Sequence, residues 1–248
     1  MCVDILLQKT YVFVQQLYGF DSCIFYSFGC MKKLLLFAFL SFALSAASAL
    51  AQQAPFEAEV RQLVARIDSA GWRAGGTVIT GSSTIKFWSS SSSLASSEFL
   101  INTGFGGSKA ADLERYLYPL VIQYEPKRVF IYEGDNDLWA GLAPEEILGS
   151  LRQIVNRIHI VDPGIAIYLI GAKPSPSRWE KKEAYLSFNL KLAAFCSNKE
   201  GLHYISTWEA LTDKNGNPRP ELYQKDQLHL NAEGYRLWNN IFSPYFSK

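Results

Sequence analysis

The sequence contains few of the residues that carry disulfide and metal chemistry. Its 248 residues include four cysteines, three histidines and two methionines. Three of the cysteines, Cys2, Cys23 and Cys30, precede residue 31, and the fourth is Cys196. No disulfide can therefore form within residues 52–248, and no cysteine–histidine cluster of the kind that binds zinc is visible. We expect no metal and no other cofactor.

The chain also lacks an excess of either charge. Residues 1–51 contain three of the 24 basic and two of the 23 acidic residues, which leaves 21 of each sign in residues 52–248. Proteins that bind nucleic acid or anionic membranes usually present a basic surface. The balance therefore argues against both kinds of partner.

The one long apolar run of the chain is short for a membrane span. Met31, Lys32 and Lys33 precede the apolar residues 34–44, and the small residues Ala49 and Ala51 follow. Charged, apolar and small-residue regions in this order are typical of a signal peptide, and about a dozen apolar residues are too few for a comfortable bilayer span. A transmembrane anchor is the alternative.

These features divide the chain into three parts. We predict that residues 1–30 are a misassigned upstream extension and that Met31 is the true initiator of a signal peptide over residues 31–51. Residues 52–248 are expected to form a single domain with no stable membrane span after processing. Export to the periplasm or the cell exterior follows from this interpretation.

Short apolar runs alternate with helical patterns along residues 52–248. Strands are predicted at residues 77–80, 98–102, 128–132, 165–170 and 202–206, and helices at residues 56–67, 110–124, 144–161, from 179 to 197, and after Asn231. The serine-rich residues 89–97 are expected to form a polar surface loop. Such alternation indicates a parallel sheet in a three-layer α/β/α sandwich.

A glycine–serine turn follows the first predicted strand. Gly81 allows a sharp exit from the strand, and Ser82, Ser83 and Thr84 begin a helix. In open α/β sheets ligands bind at the carboxyl ends of the strands, where a helix N-terminus favours developing negative charge. A serine here is a candidate nucleophile, and a polar loop with a helix cap is the alternative.

A base for such a serine is available near the C-terminus. Asp226 and His229 lie three residues apart in a predicted turn before the helix that Asn231 caps. A carboxylate at this spacing can fix the tautomer of the imidazole, which a nucleophilic serine needs as its base. His159 falls in a helical pattern and His203 beside a strand, so structural roles are the simpler interpretation for both.

Four separated motifs resemble those of the SGNH hydrolases, also called the GDSL family of serine esterases and lipases. They are Gly81-Ser82-Ser83-Thr84, Asn102-Thr103-Gly104-Phe105-Gly106-Gly107-Ser108, Gly134-Asp135-Asn136-Asp137 and the Asp226–His229 pair. The first departs from the family pattern, because serine replaces the aspartate and threonine the leucine. Ser82 therefore competes with Ser83, although the family spacing favours Ser83.

The resemblance implies the flavodoxin-like SGNH fold with strand order 2-1-3-4-5, and it implies residue roles. Ser83, His229 and Asp226 would be the nucleophile, base and acid of a catalytic triad. The backbone N–H groups of Ser83 and Gly107 and the side chain of Asn136 would form the oxyanion hole.

We therefore expect a secreted or periplasmic serine esterase that hydrolyses short-chain acyl esters, acetyl esters of carbohydrates among them, since no apolar lid insertion is evident. Its partner would be a small-molecule or carbohydrate ester. An acyltransferase, a lysophospholipase or lipase, and a catalytically silent carbohydrate-binding domain are alternatives on the same scaffold. Trp139 and Trp179 are candidate substrate-binding residues, with ordinary packing as the alternative for each.

Overall fold

Five parallel strands form the centre of the computed structural model, which describes residues 54–94, 99–197 and 199–246. The strands are β1 (Thr77–Gly81), β2 (Leu100–Asn102), β3 (Arg128–Tyr132), β4 (Ala166–Ile170) and β5 (Leu202–Ile205). Their order is β2-β1-β3-β4-β5, and all neighbouring pairs are parallel. The predicted sheet and its flavodoxin-like order are confirmed. The predicted chain divisions after residues 30 and 51 lie outside the described residues.

Helices connect successive strands and cover the sheet. They are α1 (Glu57–Ala70), α2 (Ser83–Lys86), α3 (Ala110–Arg115), α4 (Leu117–Leu120), α5 (Asp135–Trp139), α6 (Pro144–Val161), α7 (Lys182–Cys196) and α8 (Ala232–Phe242). The predicted bounds of α6 match the structure. Pro144 opens the helix, and the Glu146 carboxylate accepts a hydrogen bond from the N–H of Ala143. Asn231 caps α8 as predicted, since its side chain accepts hydrogen bonds from the N–H groups of Glu233 and Gly234.

Alternate residues of each strand enter two different cores. Val78 and Val129 belong to a core that is completed by α1, α3, α4, α6 and α7. Ile79 and Phe130, one position further along their strands, belong to a second core that contains Trp88 of the segment after α2 and Trp238 of α8. Because successive side chains of a strand point to opposite faces, the sheet is covered on both sides. The three-layer α/β/α architecture is confirmed.

Two sequence predictions were wrong in detail. The single helix expected over residues 110–124 is divided into α3, α4 and the 3₁₀ turn Ile122–Tyr124. Pro119 explains the first break, since its ring would clash with the carbonyl of Arg115 in a continuous helix. The expected serine loop contains the 3₁₀ helix Ser89–Leu94, in which Ser91 is buried and donates to the Trp88 carbonyl at 2.7 Å.

The helices within the described residues are too short or too polar to cross a bilayer.

Candidate active site

A close approach of two strands sets the position of the first motif. β1 and β3 end side by side, with Gly81 opposite Tyr132. A Cβ atom on Gly81 would lie 2.1 Å from the Tyr132 carbonyl oxygen, and the residue has a φ of +135°. Only glycine fits here without displacing the backbone of β3. Ser82 then leaves the sheet and is buried, while Ser83 begins α2.

Ser83, His229 and Asp226 form a continuous chain of hydrogen bonds. The Ser83 Oγ lies 2.9 Å from the His229 Nε2, and the His229 Nδ1 lies 2.6 Å from the Asp226 Oδ2. The imidazole side chain is mostly buried, with 19% of its surface exposed. The three residues that the sequence selected are thus brought together, and the histidine contacts the oxygen of Ser83.

A tight turn holds His229 against the sheet edge. The Oδ1 of Asp226 accepts hydrogen bonds from the N–H groups of Leu228 and His229, each at 3.0 Å. Gln227, which follows Asp226, adopts a left-handed conformation with a φ of +54°, and its carbonyl accepts from the Ser177 N–H at 3.1 Å. The turn is therefore fixed both internally and to the loop that follows β4.

The same hydrogen bonds keep Asp226 ionised. Burial alone would raise the pKa of this carboxyl group, but hydrogen bonds from the His229 ring and from the N–H groups of Leu228 and His229 lower it to about 2. Asp226 is accordingly an anion at every pH at which the protein is expected to work, and it can accept a hydrogen bond from the Nδ1–H of the imidazole.

Ser108 links Gly107, its neighbour in the chain, to Asn136. Gly107 has a φ of +69°, in the left-handed region that favours glycine. The Asn136 Nδ2 donates to the Ser108 carbonyl at 2.9 Å. The Ser108 hydroxyl donates to the buried Glu133, whose pKa burial raises well above its usual range. The glycine loop and the start of α5 are therefore bound together at the edge where β3 ends.

A buried charge network lies directly behind Asn136. Asp135 accepts hydrogen bonds from Lys173, Arg178 and Tyr185 at 3.0, 2.6 and 2.6 Å, and from the Tyr132 hydroxyl at 2.8 Å. Burial alone would raise the pKa of Asp135, but the Lys173 and Arg178 cations hold it well below its usual range. The carboxylate is therefore charged despite being almost completely buried.

Arg178 also contacts Asn136, and the sequence analysis did not select it. Its Nη2 donates to the Asn136 Oδ1 at 3.0 Å. A guanidinium can only donate and the Ser108 carbonyl can only accept, so these two partners determine which way the amide is turned. Only its position in the sequence could have identified Arg178 as a site residue, since it follows β4, which ends at the same edge of the sheet as β1 and β3.

Glu59 of α1 is a second residue that the sequence analysis missed. Its Oε1 accepts from the Gly106 N–H at 2.9 Å and from the Lys86 ammonium at 2.7 Å. It therefore connects the glycine loop to the end of α2. No sequence signal could have identified it, because a glutamate in the first turn of a helix is ordinary.

The two tryptophans lie in different surroundings. Trp139, at the end of α5, is 42% exposed, and the cationic groups of Arg178 and Lys181 lie 5.4 and 5.2 Å from its ring centroid. Trp179 stacks on Trp208 with ring centroids 5.9 Å apart. Trp139 is thus linked through Arg178 to Asn136, whereas the closest aromatic partner of Trp179 belongs to the segment after β5. Substrate binding by either residue stays a prediction.

Comparisons with known proteins identify the family and the fold. Residues 68–237 match the model of the GDSL-like lipase/acylhydrolase family. A Streptococcus pneumonia protein provisionally named a platelet activating factor has 18% identity and a TM-score of 0.68, covering 83% of this chain and 99% of its own. A GDSL-like lipase from Bacteroides thetaiotaomicron has 17% identity and a TM-score of 0.61, with coverages of 77% and 95%.

A catalytic mutant of an acetylxylan esterase from Geobacillus stearothermophilus shares the fold at 14% identity and a TM-score of 0.59, covering 71% of this chain and 96% of its own. The search of curated proteins gives no match. The family match extends from α1 into α8 and includes all four motifs. The chain therefore belongs to the GDSL-like lipase/acylhydrolase family of ester-hydrolysing enzymes.

Proposed function

We propose that this protein is an exported serine esterase that hydrolyses short acyl esters, with acetyl esters of carbohydrates as the favoured class. The observation that carries the proposal is the hydrogen-bonded chain from the Ser83 Oγ through His229 to Asp226, with contacts of 2.9 and 2.6 Å. A serine aligned in this way with a base and an orienting carboxylate is suited to acyl transfer.

The proposed reaction has two halves. His229 takes the Ser83 proton while the Ser83 Oγ attacks the ester carbonyl, and the tetrahedral intermediate collapses as His229 returns the proton to the departing alcohol oxygen. Water, deprotonated by His229, then attacks the acyl-enzyme, and the carboxylic acid and free Ser83 result. Asp226 accepts a hydrogen bond from the Nδ1–H of His229 and stabilises the imidazolium in both halves of the reaction.

The oxyanion would be stabilised by the N–H groups of Ser83 and Gly107 and by the Asn136 amide. Each such donor is worth about 2.7–4 kcal/mol in comparable sites. Arg178 would act through Asn136 as a positioning residue. It fixes the amide orientation, and its charge on the Oδ1 makes the Nδ2–H a stronger donor, since hydrogen bonds in series polarise one another.

The favoured substrate class rests on two supports. In the described segments that directly follow Ser83 and Asn136, the large exposed apolar side chains are the isolated aromatics Phe87 and Trp139. They do not form an extended lid. A fatty tail would therefore find little apolar cover. An acetylxylan esterase is also among the proteins of similar fold.

The first prediction concerns the nucleophile. An active-site phosphonate should label the parent protein, and Ser83→Ala should abolish labelling and lower turnover by several orders of magnitude. His229→Ala should cost nearly as much, and the double variant little more, because residues that act as one unit are not additive. Mass spectrometry of the labelled peptide and initial rates provide the measurements.

Ser82→Ala is the matched control and should keep most of the activity, because the histidine contacts the neighbouring serine. Labelling that persists in Ser83→Ala and disappears in Ser82→Ala would reverse the assignment. Additive losses for Ser83 and His229 would argue against a shared proton transfer.

The second prediction concerns Asn136 and Arg178. Asn136→Ala should lower kcat by about 10²–10³-fold with little change in KM, because the lost donor acts on the oxyanion. Arg178→Met should lower kcat in the same direction, and the double variant should be no slower than Asn136→Ala alone. Thermal denaturation separates this from a loss of folding, since Arg178 also pairs with Asp135. A fully additive double variant would exclude a role through Asn136.

The third prediction concerns the acyl group. Hydrolysis should be fastest for acetyl esters and should fall as the acyl chain lengthens from acetyl to beyond about eight carbons, because no long apolar insertion is available to cover a fatty tail. Each CH₂ that stays in water forgoes the stabilisation of about 0.8 kcal/mol that burial would supply. Values of kcat/KM across a series of 4-nitrophenyl esters provide the measurement. A preference for long-chain esters or phospholipids would favour a lipase instead.

The fourth prediction concerns export. If residues 31–51 are a signal peptide, the exported protein should begin at Gln52. N-terminal sequencing of protein recovered from the periplasm or the medium provides the measurement. Recovery of a chain that retains residues 1–30 would contradict both the cleavage site and initiation at Met31.

A further inference from the structure

A pocket of about 580 Å³ with both polar and apolar lining residues lies between α1 and the segment that follows Ser83. Its lining includes Glu59, Gln62 and Arg66 of α1 together with Lys86 and Phe87. We propose that this α1 pocket binds the sugar portion of the alcohol that leaves when the ester is cleaved. The inference rests on the proposed function, since it names the part of the substrate that would occupy this place.

The position of the pocket relative to His229 indicates which half of the ester it receives. The Phe87 ring meets the His229 ring edge to face, with centroids 5.0 Å apart. The departing alcohol oxygen must lie within reach of the His229 Nε2 to receive its proton. The remainder of the alcohol therefore extends from the neighbourhood of His229, and the α1 pocket opens beside it.

One wall of the pocket is held in a fixed position. Glu59 bonds both to Lys86, at the end of the helix that Ser83 begins, and to the Gly106 N–H, next to Gly107. Both partners use the Oε1. The pocket therefore keeps its position relative to the nucleophile and the glycine loop, and a ligand bound in it is oriented toward the reacting carbonyl.

The lining chemistry suits a carbohydrate. Phe87 is 45% exposed and offers an apolar ring to the C–H face of a sugar. Gln62 and Arg66 are exposed, and neither side chain has a hydrogen-bond or ion-pair partner among the described residues. An aromatic surface with a few free polar groups is the usual composition of a ligand site, and its volume falls within the range of about 300–1,000 Å³.

The same lining disfavours a fatty chain. An alkyl tail in this pocket would cover the Arg66 guanidinium without replacing its bonds to water, and burial of an unpaired charge is unfavourable. Sugar hydroxyl groups can donate to the Gln62 carbonyl oxygen and accept from the Arg66 guanidinium and the Gln62 amide.

The test compares an ester with a large sugar alcohol and an ester with a minimal one. In the full chain, the Gln62→Ala/Arg66→Ala double variant should raise KM about tenfold for acetylated xylotriose or acetylated cellotriose, the loss expected for one or two hydrogen bonds. Its kcat for these substrates, and its kcat/KM for methyl acetate, should stay within twofold of the parent. Methyl acetate has no alcohol large enough to reach α1.

Arg61→Ala is the matched control, because Arg61 lies on the same helix, pairs with Glu57 at 2.6 Å and does not line the pocket. This variant should leave the kinetic constants for the acetylated trisaccharides and for methyl acetate unchanged. An unchanged KM for both acetylated trisaccharides in the double variant would overturn the sugar site. A loss of kcat/KM for methyl acetate as large as the loss for the trisaccharides would overturn it as well.

Binding of the unacetylated trisaccharides to Ser83→Ala separates the pocket from the reaction. Calorimetry should detect binding of xylotriose or cellotriose, weakened about tenfold when Gln62→Ala and Arg66→Ala are added. Absence of binding for both sugars would overturn the sugar site even if the protein hydrolyses acetyl esters. Failure of the phosphonate to label Ser83 in the parent would instead contradict the proposed reaction, while the calorimetric result would still decide the pocket.

Discussion

The need to neutralise one buried carboxylate organises the edge of the sheet. Asp135 is 3% exposed, and an isolated charge in such surroundings is too unfavourable to persist. Its partners come from the end of β3, the loop after β4 and the body of α7. Removing one member of such a buried pair typically costs about 3–5 kcal/mol. The three segments are therefore fixed relative to one another before any substrate binds.

The position of Asn136 follows from this constraint. Its neighbour Asp135 cannot move without losing its cations, and Arg178, which satisfies that carboxylate, also bonds to the Asn136 amide. The loop after β4 in turn donates to the Gln227 carbonyl in the turn that carries His229. The loop after β4 thus contacts both the proposed oxyanion donor, through Arg178, and the turn that carries the proposed base, through Ser177.

The sequence predicts the three layers of the fold well and the hydrogen-bond network around Asp135 poorly, and both outcomes have physical reasons. β3 has the predicted bounds because its apolar run is uninterrupted, and α6 has its bounds because Pro144 marks the start. Ser83, His229 and Asp226, which the structure brings within hydrogen-bond distance, were selected because their residue types and spacing are chemically restrictive and match the family motifs. Lys173 and Arg178 were missed because they pair with Asp135 across 38 and 43 residues, and charged residues at such separations give no local pattern.

The separation of Ser83 and His229 along the chain has a consequence for biosynthesis. The two residues are 146 positions apart, and the turn that carries His229 leads into α8, which packs on Trp88 and Tyr132. A chain emerging from the ribosome carries its nucleophile long before its base, and contacts of such range form late in folding. If the triad acts as proposed, a chain that has not yet folded α8 onto the sheet has no esterase activity. The appearance of activity therefore marks the packing of α8.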